Sequence, residues 1–157
     1  ENDGAQGFTA HTIFGAADGV RSVFAIDLDA DGDIDVLSAS YNDDAIRWYE
    51  NDGARGFTAH TVFGAANGAS SVFAIDMDGD NDVDVLSASI HDDDIRWYEN
   101  DGTREFTAHT IFGTANGASS VFAIDVDGDN DVDVLSASYN DDKIRWHENH
   151  QENLTGE

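Results

Sequence analysis

Val72-Phe73-Ala74-Ile75-Asp76-Met77-Asp78-Gly79-Asp80-Asn81-Asp82-Val83-Asp84-Val85-Leu86-Ser87-Ala88-Ser89 is the stretch on which the reading of this chain turns. Two short apolar runs flank a loop in which every second residue is aspartate. The pattern alternates with a period of two, which belongs to strands and not to a helix. The same pattern stands at 23–40 and again at 121–138. Working outward, Trp48, Trp97 and Trp146 are 49 residues apart, as are Phe8, Phe57 and Phe106. Three units therefore run 1–49, 50–98 and 99–147, and the second and third differ at only nine positions. Residues 148–157 start a fourth copy with Glu148-Asn149, then lose the pattern and form a non-repeating tail.

Unit two shows what each repeat builds. Phe57–Phe63 alternates and reads as a strand, and Gly64–Ser71 reads as a small-residue loop around Asn67-Gly68. Val72–Ile75, Val83–Ile90 and Ile95–Tyr98 read as three more strands. His91-Asp92-Asp93 turns the third strand into the fourth, and Asn100-Asp101-Gly102 leads into the next unit. Four short hairpin-linked strands per unit predict an all-β chain of antiparallel sheets, and a repeat of this length predicts β-propeller blades, three per chain. A single four-stranded sheet cannot bury its own faces, so blades must stack. Trp97 and its copies are then expected to fill the space between blades, in preference to forming sugar-stacking platforms.

Composition narrows the function classes. With 40% hydrophobic and 10% aromatic residues the chain can bury a core. Its 33 acidic residues against 7 basic ones give a net charge of −26, which repels phosphate and argues against nucleic acid and anionic membranes as partners. No apolar run approaches the roughly 20 residues a membrane helix needs, so no membrane insertion is expected. Without cysteine there is neither a disulfide framework nor a thiolate metal site. The opening Glu1-Asn2-Asp3-Gly4 is expected to belong to a mature or excised segment whose export signal is gone.

The chemistry lies in the aspartate loops. Asp27, Asp29, Asp31, Asp33 and Asp35 recur as Asp76, Asp78, Asp80, Asp82 and Asp84, and as Asp125, Asp127, Asp129, Asp131 and Asp133. Carboxylates at positions 1, 3 and 5 of a tight loop converge, and their repulsion calls for a hard cation. Calcium, which takes about six to eight oxygen ligands, fits better than magnesium, which keeps its waters. Position 7 would offer its backbone carbonyl and position 9 a closing carboxylate. Position 6 must turn sharply; Gly32 can, and Asn81 and Asn130 tolerate the left-handed conformation. An EF-hand is excluded, because position 12 is Ser38, Ser87 or Ser136 where a bidentate Glu is required. About one calcium per repeat would leave a formal charge of −20, down from −26.

These loops, with Asp-Asp-x-Ile-Arg-Trp after them and the elements Phe14-Gly15-Ala16, Phe63-Gly64-Ala65 and Phe112-Gly113, resemble the FG-GAP/VCBS repeat family over residues 1–147. The resemblance implies a calcium-loaded propeller of the kind found in integrin α-subunit heads, propeller lectins and microbial surface proteins. It assigns calcium to positions 1, 3, 5, 7 and 9 of each loop, and it implies an extracellular or cell-surface location. Asn81 and Asn130 depart from the usual Gly of the family.

Three blades do not close a ring, since propellers typically have four to eight. If the first strand of each unit is the outer strand of the preceding blade, Phe8–Phe14 begins the chain as an unpaired outer strand. The chain then ends one strand short, at Ile144–His147. Strand exchange between copies would give a six-bladed homodimeric ring or a head-to-tail filament. The expected function is a non-catalytic calcium-binding module with an extracellular structural or adhesion role, in which the partner is the chain itself, with glycans or another surface protein as further candidates. A propeller lectin is the alternative reading, although Ile90-His91 replaces Tyr41-Asn42 and Tyr139-Asn140 and weakens the case for identical sugar pockets. A carbohydrate-active enzyme would need catalytic groups. His11, His60 and His109 have no repeating partner, and Asp43-Asp44, Asp92-Asp93 and Asp141-Asp142 read as turns. Asn153-Leu154-Thr155 is a glycosylation sequon in the tail.

Overall fold

A computed structural model describes residues 7–150. The alternating apolar runs fold as strands with one aspartate loop per unit. Strands β1 (Val20–Ile26), β2 (Asp35–Ser40), β3 (Ala45–Asn51) and β4 (Phe57–Phe63) form one sheet in that order. Strands β5 (Ala69–Ile75), β6 (Asp84–Ser89), β7 (Asp94–Asn100) and β8 (Phe106–Phe112) form a second. The third sheet has three strands, β9 (Ala118–Ile124), β10 (Asp133–Ser138) and β11 (Lys143–His147). Every pairing is antiparallel. The described residues contain no helix.

Each four-stranded sheet takes its outer strand from the next unit, so sheet and repeat are out of phase. β3 pairs with β4 through Trp48↔His60 and Tyr49↔Ala59, and β7 with β8 through Trp97↔His109 and Tyr98↔Ala108. Two expectations about strands need correction. The last three residues of the loop expected over 64–71 already belong to β5, which starts at Ala69. Gly68, at φ +69°, turns the chain inward, and Ser70 Oγ donates to the carbonyls of Ala88 and Ala118 at 2.9 Å, which holds the strand start between two sheets. In the first unit, 8–14 makes one bridge at Phe8 and no strand. A strand needs a continuous ladder with a neighbour, and among the described residues 8–14 runs beside no strand as β4 runs beside β3.

The core sits between successive sheets. Leu37, Ile46 and Trp48 of the first pack with Val72, Val85 and Tyr98 of the second. Leu86 and Ile95 of the second pack with Val121 and Val134 of the third. Burying such side chains stabilises by about 1.5–3 kcal/mol each, so the stacked faces hold the sheets together. Trp48 is buried and Trp97 partly so, which is the filler role expected of them. Trp146, with no sheet beyond it, is 46% exposed. Along the first strands of the three sheets, β1, β5 and β9, Phe24, Phe73 and Phe122 form a ladder, with ring centroids 4.8 and 4.7 Å apart.

Candidate metal centre

Each β1–β2 type hairpin carries an aspartate loop, and in each the carboxylates of positions 1, 3 and 9 converge. Asp27, Asp29 and Asp35 bring one oxygen apiece within 4.8 Å of one another, and so do Asp76, Asp78 and Asp84, and Asp125, Asp127 and Asp133. The local fold that achieves this is built from the aspartates themselves. Gly32 N–H donates to Asp27 Oδ2 at 3.0 Å, and Asn81 N–H to Asp76 Oδ2 at 3.0 Å. Asp33 N–H donates to Asp31 Oδ1 at 2.8 Å, and Asp82 N–H to Asp80 Oδ1 at 2.8 Å. Position 6 is left-handed, with φ of 95° at Gly32, 76° at Asn81 and 75° at Asn130, so the asparagines do adopt the turn expected of them. Position 4 is left-handed too, at Ala30 with φ 59°.

The closing residue does more than close. Asp84 is fully buried and accepts from Met77 N–H at 3.0 Å and Asn100 N–H at 2.7 Å. Asp35 does the same with Leu28 (3.1 Å) and Asn51 (2.8 Å), and Asp133 with Val126 (3.0 Å) and Asn149 (2.8 Å). The loop is thereby tied to the end of the third strand of its sheet. The asparagine of this clasp also donates its amide to the position-8 carbonyl, as Asn100 Nδ2 does to Val83 O at 3.1 Å. Sequence reading gave Asn100 only a turn role; its recurrence as Asn51 and Asn149 was the available signal. Positions 5 and 7 lie outside the converging trios. The carboxylates of Asp33 and Asp82 lie instead against Gly53 and Gly102, where an added Cβ would come within 2.4 and 2.6 Å of them.

Electrostatics mark the trios as anion-rich. Burial, with the neighbouring charges of Asp31 and Asp35, raises the Asp29 pKa. Burial likewise raises Asp78, beside Asp80 and Asp76. Asp127 is raised by burial and by Asp129 and Asp133. Burial pushes Asp84 up to about 6 against the opposing N–H groups of Asn100 and Met77. At Asp133 burial also opposes ionisation, but the N–H groups of Asn149 and Val126 and the Trp146 indole outweigh it and hold the carboxyl below its usual range. Asp27 Oδ1 is buried without a hydrogen-bond partner. An orphaned carboxylate oxygen on a residue of such a cluster of hard oxygen donors fits a divalent cation. In the first loop Arg104 reaches over from the second sheet, 2.7 Å from Asp29 and 2.9 Å from Glu50.

An FG-GAP-like repeat profile matches residues 27–87 and 76–136. The chain belongs to the FG-GAP-like repeat family. Both matches open on position 1 of an aspartate loop, Asp27 and Asp76, so they start one 49-residue period apart. No curated protein matches the chain.

The remaining sequence candidates in these FG-GAP-like repeats have structural partners. His60 stacks on Trp48 at 4.7 Å and meets Glu50 at 2.8 Å; His109 stacks on Trp97 at 4.8 Å and meets Glu99 at 2.7 Å. Asp44, Asp93 and Asp142 are left-handed turn residues. Asp44 and Asp93 accept from Gly68 and Gly117 N–H at 2.8 Å, each crossing to the next sheet. Asp43 accepts from Asp18 N–H and from Arg47, which lowers its pKa. Asn153 lies outside the described residues.

Proposed function

We propose that this chain is a calcium-binding, non-catalytic propeller module with an extracellular structural or adhesion role, which assembles with itself by strand exchange. The observation that carries the reading is the threefold recurrence of a carboxylate trio within 4.8 Å, clasped at the back by two backbone N–H groups. Calcium would be held by Asp27, Asp29 and Asp35 and their copies, with the other loop positions and water completing the coordination. Its charge would offset the mutual repulsion that raises Asp29, Asp78 and Asp127. Stacked sheets whose first strands share one phenylalanine ladder support the propeller arrangement. The acidic surface and the family favour an extracellular setting, where calcium is abundant. The lectin alternative has less support, because the tryptophans best suited to stack sugars, Trp48 and Trp97, are committed to packing. Native mass spectrometry in calcium and in chelator tests the reading. Three ions per chain, lost on chelation, are expected; a chain that binds none refutes it.

A further inference from the structure

The molecule makes one joint twice, and the residues for a third stand exposed at its two ends. Between the first and second sheets, Ala66 N–H donates to the Asp44 carbonyl at 2.8 Å and Val72 N–H to Ser22 Oγ at 3.2 Å. Phe63 packs on Tyr98 at 5.2 Å. Between the second and third, shifted by one repeat, Ala115 N–H donates to the Asp93 carbonyl at 2.7 Å and Val121 N–H to Ser71 Oγ at 3.3 Å. Phe112 packs on His147 at 5.3 Å. One more shift pairs Ala17 and Val23 on the first sheet with Asp142 and Ser120 on the third. The burial pattern agrees. Val23 is 66% exposed where Val72 and Val121 are 4% and 5% exposed. At the other end Ile144 is 87% exposed where Ile46 and Ile95 are at 0%, and Val126 is 44% exposed where Leu28 is at 3%.

The start of the chain already occupies the position the joint requires. Phe14 packs on Tyr49 at 5.3 Å, as Phe63 does on Tyr98, so 8–14 lies where the outer strand of a preceding sheet would run. A groove of about 240 Å³ separates it from Val23 and Val36. The third sheet, for its part, has no fourth strand among the described residues.

We infer that a second copy of this chain seats its third sheet on the open face of the first sheet and takes Phe8–Phe14 as that sheet's fourth strand. The register follows from β3–β4 and β7–β8: Glu148↔Thr9, His147↔Ala10, Trp146↔His11, Arg145↔Thr12 and Ile144↔Phe14. Arg104 bridges the first internal joint to Asp29 and Glu50. The same bridge at the new joint carries Arg55 of one copy to Asp127 and Glu148 of the other, so a second copy contributes a cationic side chain beside the third carboxylate trio. Two such joints close a ring of six sheets, and an unclosed series makes a filament. The inference specifies the self-assembly proposed above and rests on it; it does not rest on which ion the loops hold.

The chain has no cysteine, so engineered pairs report without background. Thr9→Cys with Glu148→Cys is expected to give disulfide-linked dimers or longer ladders under mild oxidation, whereas Thr9→Cys with Lys143→Cys, five residues out of register, is not. Val23→Asp changes a side chain that is exposed in the single chain, so the fold should persist. It is expected to weaken association at least tenfold in sedimentation while leaving the calcium count in native mass spectrometry unchanged. Equal crosslinking of both cysteine pairs, crosslinks confined to single chains, Val23→Asp assembling like the parent, or a parent chain that stays monomeric with calcium bound would each overturn the joint. Assembly in register without bound calcium would uphold the joint and remove the cation reading instead.

Discussion

Replacing Asp84 by alanine separates the two tasks of the position-9 carboxylate. In the folded chain Asp84 satisfies two backbone donors, Met77 N–H and Asn100 N–H, at 3.0 and 2.7 Å, and it is fully buried. A buried donor left unsatisfied costs about 1–3 kcal/mol, so the two together cost about 2–6 kcal/mol. Burial already pushes the Asp84 carboxyl up to about 6, and deleting it removes that penalty, so the lower end of the range, about 2–3 kcal/mol, is expected in chelator. In calcium the variant also forfeits the ion of the second loop, which at one hundred times the dissociation constant contributes about 2.7 kcal/mol. A domain of this length shifts by about 2–4 °C per kcal/mol. Thermal melts at one protein concentration should then show Asp84→Ala down by about 5–10 °C in chelator and by about 10–20 °C in calcium. Glu105→Ala, at an exposed position, serves as the control. A variant that melts with the parent in chelator refutes the clasp, and an equal loss in both buffers refutes the cation.

Four further outcomes follow from the same geometry. Chelation should lower the melting temperature of the parent chain by several degrees, in proportion to the logarithm of free calcium over its dissociation constant, and a melt insensitive to calcium would count against the three sites. Burial, with Arg145 nearby, holds the His147 pKa below 6.5; an unfolded chain therefore binds the proton more readily, and stability falls as pH drops below 6.5 through the folded value. His147→Tyr, which restores the tyrosine of Tyr49 and Tyr98, should flatten the difference in melting temperature between pH 7.5 and 5.5, and an unchanged difference would clear His147 of the effect. Ala30→Gly relieves a left-handed alanine at φ 59°, worth about 1–2 kcal/mol, against about 0.4–1 kcal/mol of added unfolded-state entropy, so a net gain of about 0.5–1 kcal/mol should appear in chemical denaturation. Because copies carrying a charge of −26 repel, self-association should strengthen as salt rises from 20 to about 150 mM, and sedimentation showing the opposite would point to a joint held mainly by ion pairs.

Strand content and sheet phase were legible because both depend on local pattern. The alternation along Phe57–Phe63 and the spacing of the tryptophans point to a four-strand unit, and the terminal position of Phe8–Phe14 exposes the offset between unit and sheet. What local pattern could not show was how far a strand reaches. Ala69 and Ser70 have no strand-like alternation, yet β5 begins there because Ser70 Oγ finds carbonyls on two different sheets, a contact 48 residues away in sequence. The absence of a strand at 8–14 is the same effect reversed. Phe57–Phe63 and Phe106–Phe112 have nearly the same sequence and are strands, because β3 and β7 lie beside them.

The aspartate loops were legible as a chemical pattern but not as a division of labour. Five carboxylates at alternate positions look equivalent in sequence, and the fold makes them unequal. Positions 1, 3 and 9 converge, position 5 accepts from the N–H two residues further on, and position 7 turns toward the glycine of a neighbouring hairpin. That inequality comes from the clasp, in which position 9 is pulled under the loop by an N–H sixteen residues further on, at Asn51, Asn100 or Asn149. The loop is therefore shaped by the hairpin that follows it. A cation that binds there also braces the attachment of the loop to the third strand of its sheet, and in the first loop it does so beside Arg104 of the next sheet. On the reading proposed above, filling the loops would stiffen each sheet, and in the first loop the ion would share Asp29 with the Arg104 guanidinium.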